Sequence, residues 1–223
     1  MRKYRATDEL KPSTTKRGKH RAMGQVNSII VHTTGYGVGL KRLHKKFKTL
    51  EAIDEAYANR MARILKYKGH FLIGYTGTIY QFLPLNEEAW HTGSGKRNAL
   101  RKFSKRPAKW WRERWAGKVD GPMKHVCWQP DNNGRISVNA RTIGIDLLAH
   151  GPVLPGYTDS QYKSLDKLTR ALCVDLKLPF DRLRVLGHED VHPIDRNGWD
   201  PGKKFVWERL FPTTSPDLNQ CGG

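Results

Sequence analysis

Two short apolar runs constrain this chain most. Residues 26–32 (VNSIIVH) and 142–149 (TIGIDLLA) are rich in β-branched residues, and runs of this length and composition are buried strands rather than helices. Helical patterns occupy the chain around them. Thr49 is placed to cap a helix running to about residue 66, with Leu50, Ile53, Tyr57, Met61, Ile64 and Leu65 at three- and four-residue steps. Residues 159–177 repeat that spacing with Tyr162, Leu165, Leu168, Leu172 and Leu176. Residues 70–75 and 78–83 flank Thr76-Gly77, a hairpin signature. Residues 184–187 make a short strand ending at His188, and residues 203–210 a short last helix. Gly35, Gly37 and Gly39 loosen the chain into a loop. Strands alternating with helices, without internal repeats, predict an α/β domain: a mixed central β-sheet flanked by helices.

At 223 residues the chain is expected to form one domain, with an arm, an insertion and a tail. Residues 1–25 carry eight Lys/Arg against two acids and form the basic arm; residues 26–212 form the domain. Within it, residues 96–124 carry eleven Lys/Arg with Trp110, Trp111 and Trp115, marking a basic Trp-rich insertion over about 96–130. Residues 213–223 are a flexible tail. No apolar run approaches the ~18 residues of a membrane span, which excludes an integral membrane protein. The charged start has no apolar stretch behind it, so no secretory signal is expected. Cys127, Cys173 and Cys221 cannot build a disulfide framework and fit a reducing compartment; Cys173 falls on an apolar helix face and is expected in the core. Forty Lys+Arg against 21 Asp+Glu, a net charge of +19, point to polyanionic partners: nucleic acid, anionic membrane surfaces or acidic envelope polymers.

His188-Glu189-Asp190-Val191-His192 matches H-E-x-x-H, a zinc-protease motif that works only on a helix, where both histidines share one face. Pro193 directly after the second histidine disfavours helix there, so a protease of this type is the lesser alternative. The other arrangement uses residues far apart in sequence. His32 closes one strand, His188 closes another, and Asp200 follows twelve residues on in Trp-Asp-Pro-Gly. Strand ends are rigid, and two histidines plus a carboxylate with one position open form a catalytic zinc arrangement. Spacing alone does not single out these three among nine histidines.

Six segments in order resemble the zinc-dependent N-acetylmuramoyl-L-alanine amidases, the group that includes phage lysozyme-type amidases and peptidoglycan recognition proteins. They are SIIVHTT (28–34), GHFLIGYTGTIYQF (69–82), AWHTG (89–93), NARTIGID (139–146), YTDSQYKSL (157–165) and GHEDVHP with DPG (187–193, 200–202). The resemblance implies the fold of that family, Zn²⁺ as cofactor held by His32, His188 and Asp200, and Asp146 as the catalytic acid–base group. It places Trp90, His91, Thr92 and Arg196 at the substrate, and His70 on the cleft floor in a structural role. The implied reaction is hydrolysis of the amide between N-acetylmuramic acid and L-alanine of the stem peptide. A phage-type lytic enzyme is implied, an endolysin or a virion-associated one: made in the cytoplasm, acting on the cell wall after release or carried in a virion.

Three features depart from the family pattern. Asp146 stands where glutamate is frequent, about 1.5 Å shorter in reach. Gly69 stands where some members carry tyrosine. Gly198 replaces a lysine two residues before the last ligand, leaving Arg196 or Lys203 to supply the cation. The expected partners are peptidoglycan or muropeptides, plus anionic envelope polymers bound through the basic surface, by a monomer. Nucleic acid is the weaker reading of the Trp-rich stretch, since no nucleic-acid motif accompanies it; a small core of its own is the plainer one. A muropeptide-binding module without catalysis is the remaining alternative, and retention of Asp200 argues against it.

Overall fold

The structure is a computed structural model describing residues 20–35, 37–63, 69–92, 138–149, 151, 154–191, 196 and 198–212. The Trp-rich insertion, His192, Cys127, Cys221, the tail and residues 1–19 of the arm lie outside the described residues.

Among the described residues, five strands form one mixed sheet: β1 (Ser28–Thr33), β2 (Phe71–Ile73), β3 (Ile79–Gln81), β4 (Thr142–Leu147) and β5 (Val185–Gly187), in the order β3-β2-β4-β1-β5. β1 pairs in parallel with β4 and β5, and β2 in parallel with β4, while β3 runs antiparallel at the edge. The two apolar runs are thus the central strands, where both faces need cover. The helices are α1 (Val38–Lys46), α2 (Leu50–Arg63), α3 (Val138–Arg141), α4 (Asp159–Leu176) and α5 (His188–Val191).

Strand alternation separates the two faces. Ile29, Val31, Ile143, Ile145, Leu147, Phe71, Ile73 and Val185 pack on Tyr162, Leu165, Leu168, Leu172 and Cys173 of α4. Cys173 takes the core position its helical spacing predicts. On the other face, Leu72 meets Leu40 of α1 and Ile53, Tyr57, Ala58 and Ala62 of α2. Between that cluster and a small one of Ile30, Leu186 and Val191, the sheet carries His32, Gly144 and Asp146.

Local chemistry fixes the elements. Thr158 caps α4, accepting from Gln161 N–H at 3.1 Å, while the Gln161 side chain accepts from Thr158 N–H at 3.0 Å. Thr49 Oγ1 accepts from Ala52 N–H at 3.3 Å at the start of α2. The β2–β3 turn is clamped by the buried Asp54 carboxylate, which accepts from Tyr75 N–H, Thr76 N–H and the Thr76 hydroxyl at 2.8, 2.9 and 2.8 Å. Gly77 has φ +84°, and a Cβ there would stand 2.7 Å from the Ser160 carbonyl oxygen, so both its backbone and its neighbour require glycine.

Two elements differ from expectation. The segment after Gly35 is not all loop: α1 begins at Val38 with Gly39 inside it. Leu40 is buried there with Leu43 and Phe47 packed beside it, and that packing outweighs the ~1 kcal/mol a helical glycine costs. The last helix shrinks to a 3-10 turn, Trp207–Arg209. Val206 N–H is diverted to the Tyr162 hydroxyl at 2.7 Å, which removes a donor from any longer helix. Residues 20–25 pack on the domain. The Arg21 guanidinium is buried and donates to the carbonyls of Leu85, Asn139 and Thr142 at 2.8–3.1 Å.

Candidate metal centre

The three residues at the proposed centre come from three elements. His32 lies near the end of β1, His188 opens α5 directly after β5, and Asp200 sits in the following loop. All three are buried, and one ligand atom from each lies within 4.8 Å of the others. His188 Nδ1 is 2.8 Å from Asp200 Oδ2, and His32 Nδ1 is 3.6 Å from the same oxygen. The backbone sets Asp200 from both sides. Thr33 N–H donates to Oδ1 at 2.9 Å, and Glu189 N–H donates to the Asp200 carbonyl at 2.8 Å. The Tyr157 hydroxyl donates to the Pro201 carbonyl at 2.7 Å, holding the same loop.

The motif carboxylates at 189 and 190 are engaged elsewhere. Residues 188–191 do form one helical turn. The Glu189 carboxylate accepts from Gly198 N–H at 2.7 Å. Asp190 Oδ2 accepts from Gly187 N–H at 2.7 Å and from Arg182 at 2.8 Å. Glu189 thereby ties down the loop that brings Asp200 to His188, while Asp190 fixes the turn from β5 into α5.

Burial opposes charge on Asp200, but its hydrogen bond to His188 outweighs it, with His32 close by, and the carboxyl is held well below the usual carboxylate range. Burial lowers His188, partly offset by its bond to Asp200, and the charges of His32 and Arg196 lower it further. A neutral His188 imidazole beside an ionised Asp200 carboxylate is the protonation pattern that metal binding requires. Two imidazole nitrogens and a carboxylate oxygen suit a borderline-soft divalent ion such as zinc, so the residues present fit the group.

His91 abuts this cluster. Its Nδ1 is 2.7 Å from His32 Nε2, and its Nε2 is 3.0 Å from Thr142 Oγ1. Desolvation lowers its pKa well below normal, reinforced by His32, His70, His188 and Arg21. Thr92 is buried, its N–H and hydroxyl donating to Asn139 Oδ1 at 2.9 and 2.7 Å, which ties the 89–92 loop to α3. Trp90, next to His91, and Trp199, next to Asp200, are both exposed. Arg196 lies over the Trp199 ring at 4.3 Å. Asp146 pairs with His32 in the β1–β4 register, on the same sheet face. Lys203 crosses Gly198, its Cε 3.1 Å from where a Cβ would stand. His70 is buried beneath, accepting from Gly144 N–H at Nδ1 (3.0 Å) and contacting the Glu87 carbonyl through Nε2 at 2.9 Å.

Thr33, Thr142, Gly144 and Tyr157 escape the sequence reading although they build this centre. Only Gly144 leaves a signal: a glycine inside an apolar strand marks a close approach. A Cβ there would stand 2.5 Å from His91 Cγ.

The N-acetylmuramoyl-L-alanine amidase family, Amidase_2, matches residues 22–203. The chain is 30% identical over 146 residues to the 1,6-anhydro-N-acetylmuramyl-L-alanine amidase AmpD of Escherichia coli (strain K12), covering 66% of this chain and 57% of that protein. It is 28% identical over 148 residues to AmpD of Haemophilus influenzae, covering 66% and 58%. The chain thus spans somewhat more than half the length of these curated relatives. A crystal structure of a selenomethionine AmpD derivative shares the fold, at a TM-score of 0.50 and 23% identity over 89% of each chain. With a family match running from Ala22 to Lys203, through β1, β5 and Asp200, the chain belongs to the N-acetylmuramoyl-L-alanine amidase family.

Proposed function

We propose that the chain is a zinc-dependent peptidoglycan hydrolase that cleaves the amide between the lactyl group of N-acetylmuramic acid and L-alanine of the stem peptide. The observation carrying this reading is the buried His32–His188–Asp200 cluster inside a chain of this amidase family. His32, His188 and Asp200 would hold the ion. When bound, zinc supplies Lewis acidity that polarises a carbonyl and activates water near neutral pH. Asp146, beside His32 on the next strand, takes a proton from the attacking water at a carboxylate oxygen and passes it to the departing nitrogen. The C–O bond forms first and the carbonyl oxygen takes up negative charge; the C–N bond then breaks as nitrogen receives the proton, leaving a muramoyl carboxylate and a free L-alanine amine. Arg196, whose charge is felt at His188, stabilises the developing oxyanion. Trp90 and Trp199, both exposed beside the cluster in sequence, offer apolar surface for sugar rings.

The phage-type reading, an endolysin or virion-associated enzyme acting on intact wall, is supported by charge. Lys41, Arg42, Lys45, Lys46 and Lys48 are all exposed on and just after α1, a surface suited to anionic envelope polymers. Among the described residues, no helix is long and apolar enough to cross a membrane. A second reading, cleavage of a soluble anhydromuramyl peptide, is favoured by the names of the curated relatives.

Mass spectrometry of products from purified sacculi, digested with and without zinc, tests the proposal. Free stem peptides beginning at L-alanine, in the zinc-loaded digest alone, are expected. Peptides still carrying muramic acid would overturn it. A higher kcat/KM on a soluble anhydromuramyl peptide than on sacculi would select the second reading.

A further inference from the structure

We infer that His91 is a positioning residue that fixes the tautomer of His32, held by Thr142 on one side and seated on Gly144 from below. The functional consequence rests on the proposed metal centre; the hydrogen-bond chain itself does not.

The chain starts at a group that can only accept. The Thr142 hydroxyl donates its single hydrogen to the Val138 carbonyl at 2.8 Å. Its oxygen therefore accepts from His91 Nε2 at 3.0 Å, and the His91 ring carries its hydrogen on Nε2. In a neutral imidazole the other nitrogen is then an acceptor. The contact of 2.7 Å between His91 Nδ1 and His32 Nε2 is a bond in which His32 donates. With its hydrogen on Nε2, His32 has its lone pair on Nδ1, the nitrogen that faces Asp200 Oδ2. Each link forces the next, so a backbone carbonyl in α3 sets the ligand atom of a residue on β1.

Gly144 supplies a second, independent observation. A Cβ at that position would stand 2.5 Å from His91 Cγ and 2.7 Å from Nδ1, so the ring lies against bare backbone of β4. The His91 and His32 rings meet edge-on, with centroids 4.9 Å apart and planes at 87°, which directs a ring nitrogen of one at the other. Both ring nitrogens of His91 are thereby engaged within the protein, and its role is to orient His32. A partner that holds the second nitrogen of a ligating histidine typically contributes 10–100-fold to metal affinity.

Two readouts test this. In isotope-labelled, metal-free protein near neutral pH, long-range proton–nitrogen correlation spectra are expected to show His32 protonated at Nε2. In Thr142→Val, which keeps the side-chain shape and removes the hydroxyl, that tautomer becomes mixed. Zinc affinity, measured by competition with a chromogenic chelator, falls about 10–100-fold. Thr142→Ser restores both. Gly144→Ala, which displaces the ring from below, shifts both readouts in the same direction as Thr142→Val. His32 protonated at Nδ1 in the unaltered chain overturns the inference, as does unchanged zinc affinity in a folded Thr142→Val protein. An unaltered chain that binds no zinc overturns the proposed metal centre instead, and the spectra of the metal-free protein still judge the hydrogen-bond chain.

Discussion

β4 serves two masters on alternate residues. Ile143, Ile145 and Leu147 point toward α4 and are among the most deeply buried residues of the protein. Thr142, Gly144 and Asp146 point the other way, where they carry a hydroxyl relay, a seat for His91 and the proposed acid–base group. The first set tolerates exchange among apolar residues of similar volume. The second set does not, because each position is fixed by a donor, an absent Cβ or a carboxylate. A two-residue period thus lets one strand make a stable core and a reactive face without either compromising the other.

The sharpest break between the faces comes from the cluster itself. His188→Ala, or removal of zinc by a chelator, is expected to lower release of stem peptides by about 10³-fold or more, the several kcal/mol that Lewis acidity supplies. The apolar face should stay intact, read as an unchanged near-ultraviolet spectrum. Activity persisting in metal-free protein would sink the zinc reading.

Asp146→Ala divides the polar face further. It should leave zinc content unchanged while kcat falls ~10²–10⁴-fold. Equal losses of zinc and of activity would instead make Asp146 a structural partner of the cluster.

The apolar face is probed by Leu165→Ala on α4, which should cost about 2–5 kcal/mol of stability in urea titration. The kcat of the folded fraction should remain near that of the unaltered chain. A kcat loss as large as that of Asp146→Ala would show that the two faces are mechanically coupled.

The smallest effect is a pH slope. His70 is buried beside Arg21, whose guanidinium lies 2.9 Å from its ring, and burial followed by that charge push its pKa down to about 3. In the unfolded chain the same ring takes up a proton near pH 6.5. Between these values the unfolded state binds more protons, so stability falls as pH drops from about 6.5 toward 3. His70→Gln in metal-free protein should flatten that dependence by about one proton, or 1.4 kcal/mol per pH unit. An unchanged slope would show that other groups carry it.

Much of this was legible beforehand, for local reasons. The central strands, the α2 cap at Thr49 and the hairpin at Thr76-Gly77 follow from short-range patterns that the structure keeps. α1 was not legible, because its glycines argue for loop while its packing is settled by Leu72 and α2, far along the chain. The 3-10 turn near the end departs from the helix its spacing predicts for a similar reason: the Tyr162 hydroxyl takes a donor the helix would need. In the site, His32, His188, Asp200 and Asp146 could be named through their segments. Thr142, Thr33 and Tyr157 act through a hydroxyl or a backbone N–H, which leaves no mark in residue type.

The sequence by itself determined the alternation of strands and helices, the apolar face of the sheet and the residue types available for chemistry. These depend on periodicity and composition, which act over a few residues. Only the tertiary structure decided which nitrogen of His32 faces Asp200, that His91 is held from both sides, and that Arg21 anchors the chain's early residues to the start of β4. Those are matters of direction between groups brought together from distant parts of the chain, and a hydrogen bond has a direction that a residue's place in the sequence does not carry.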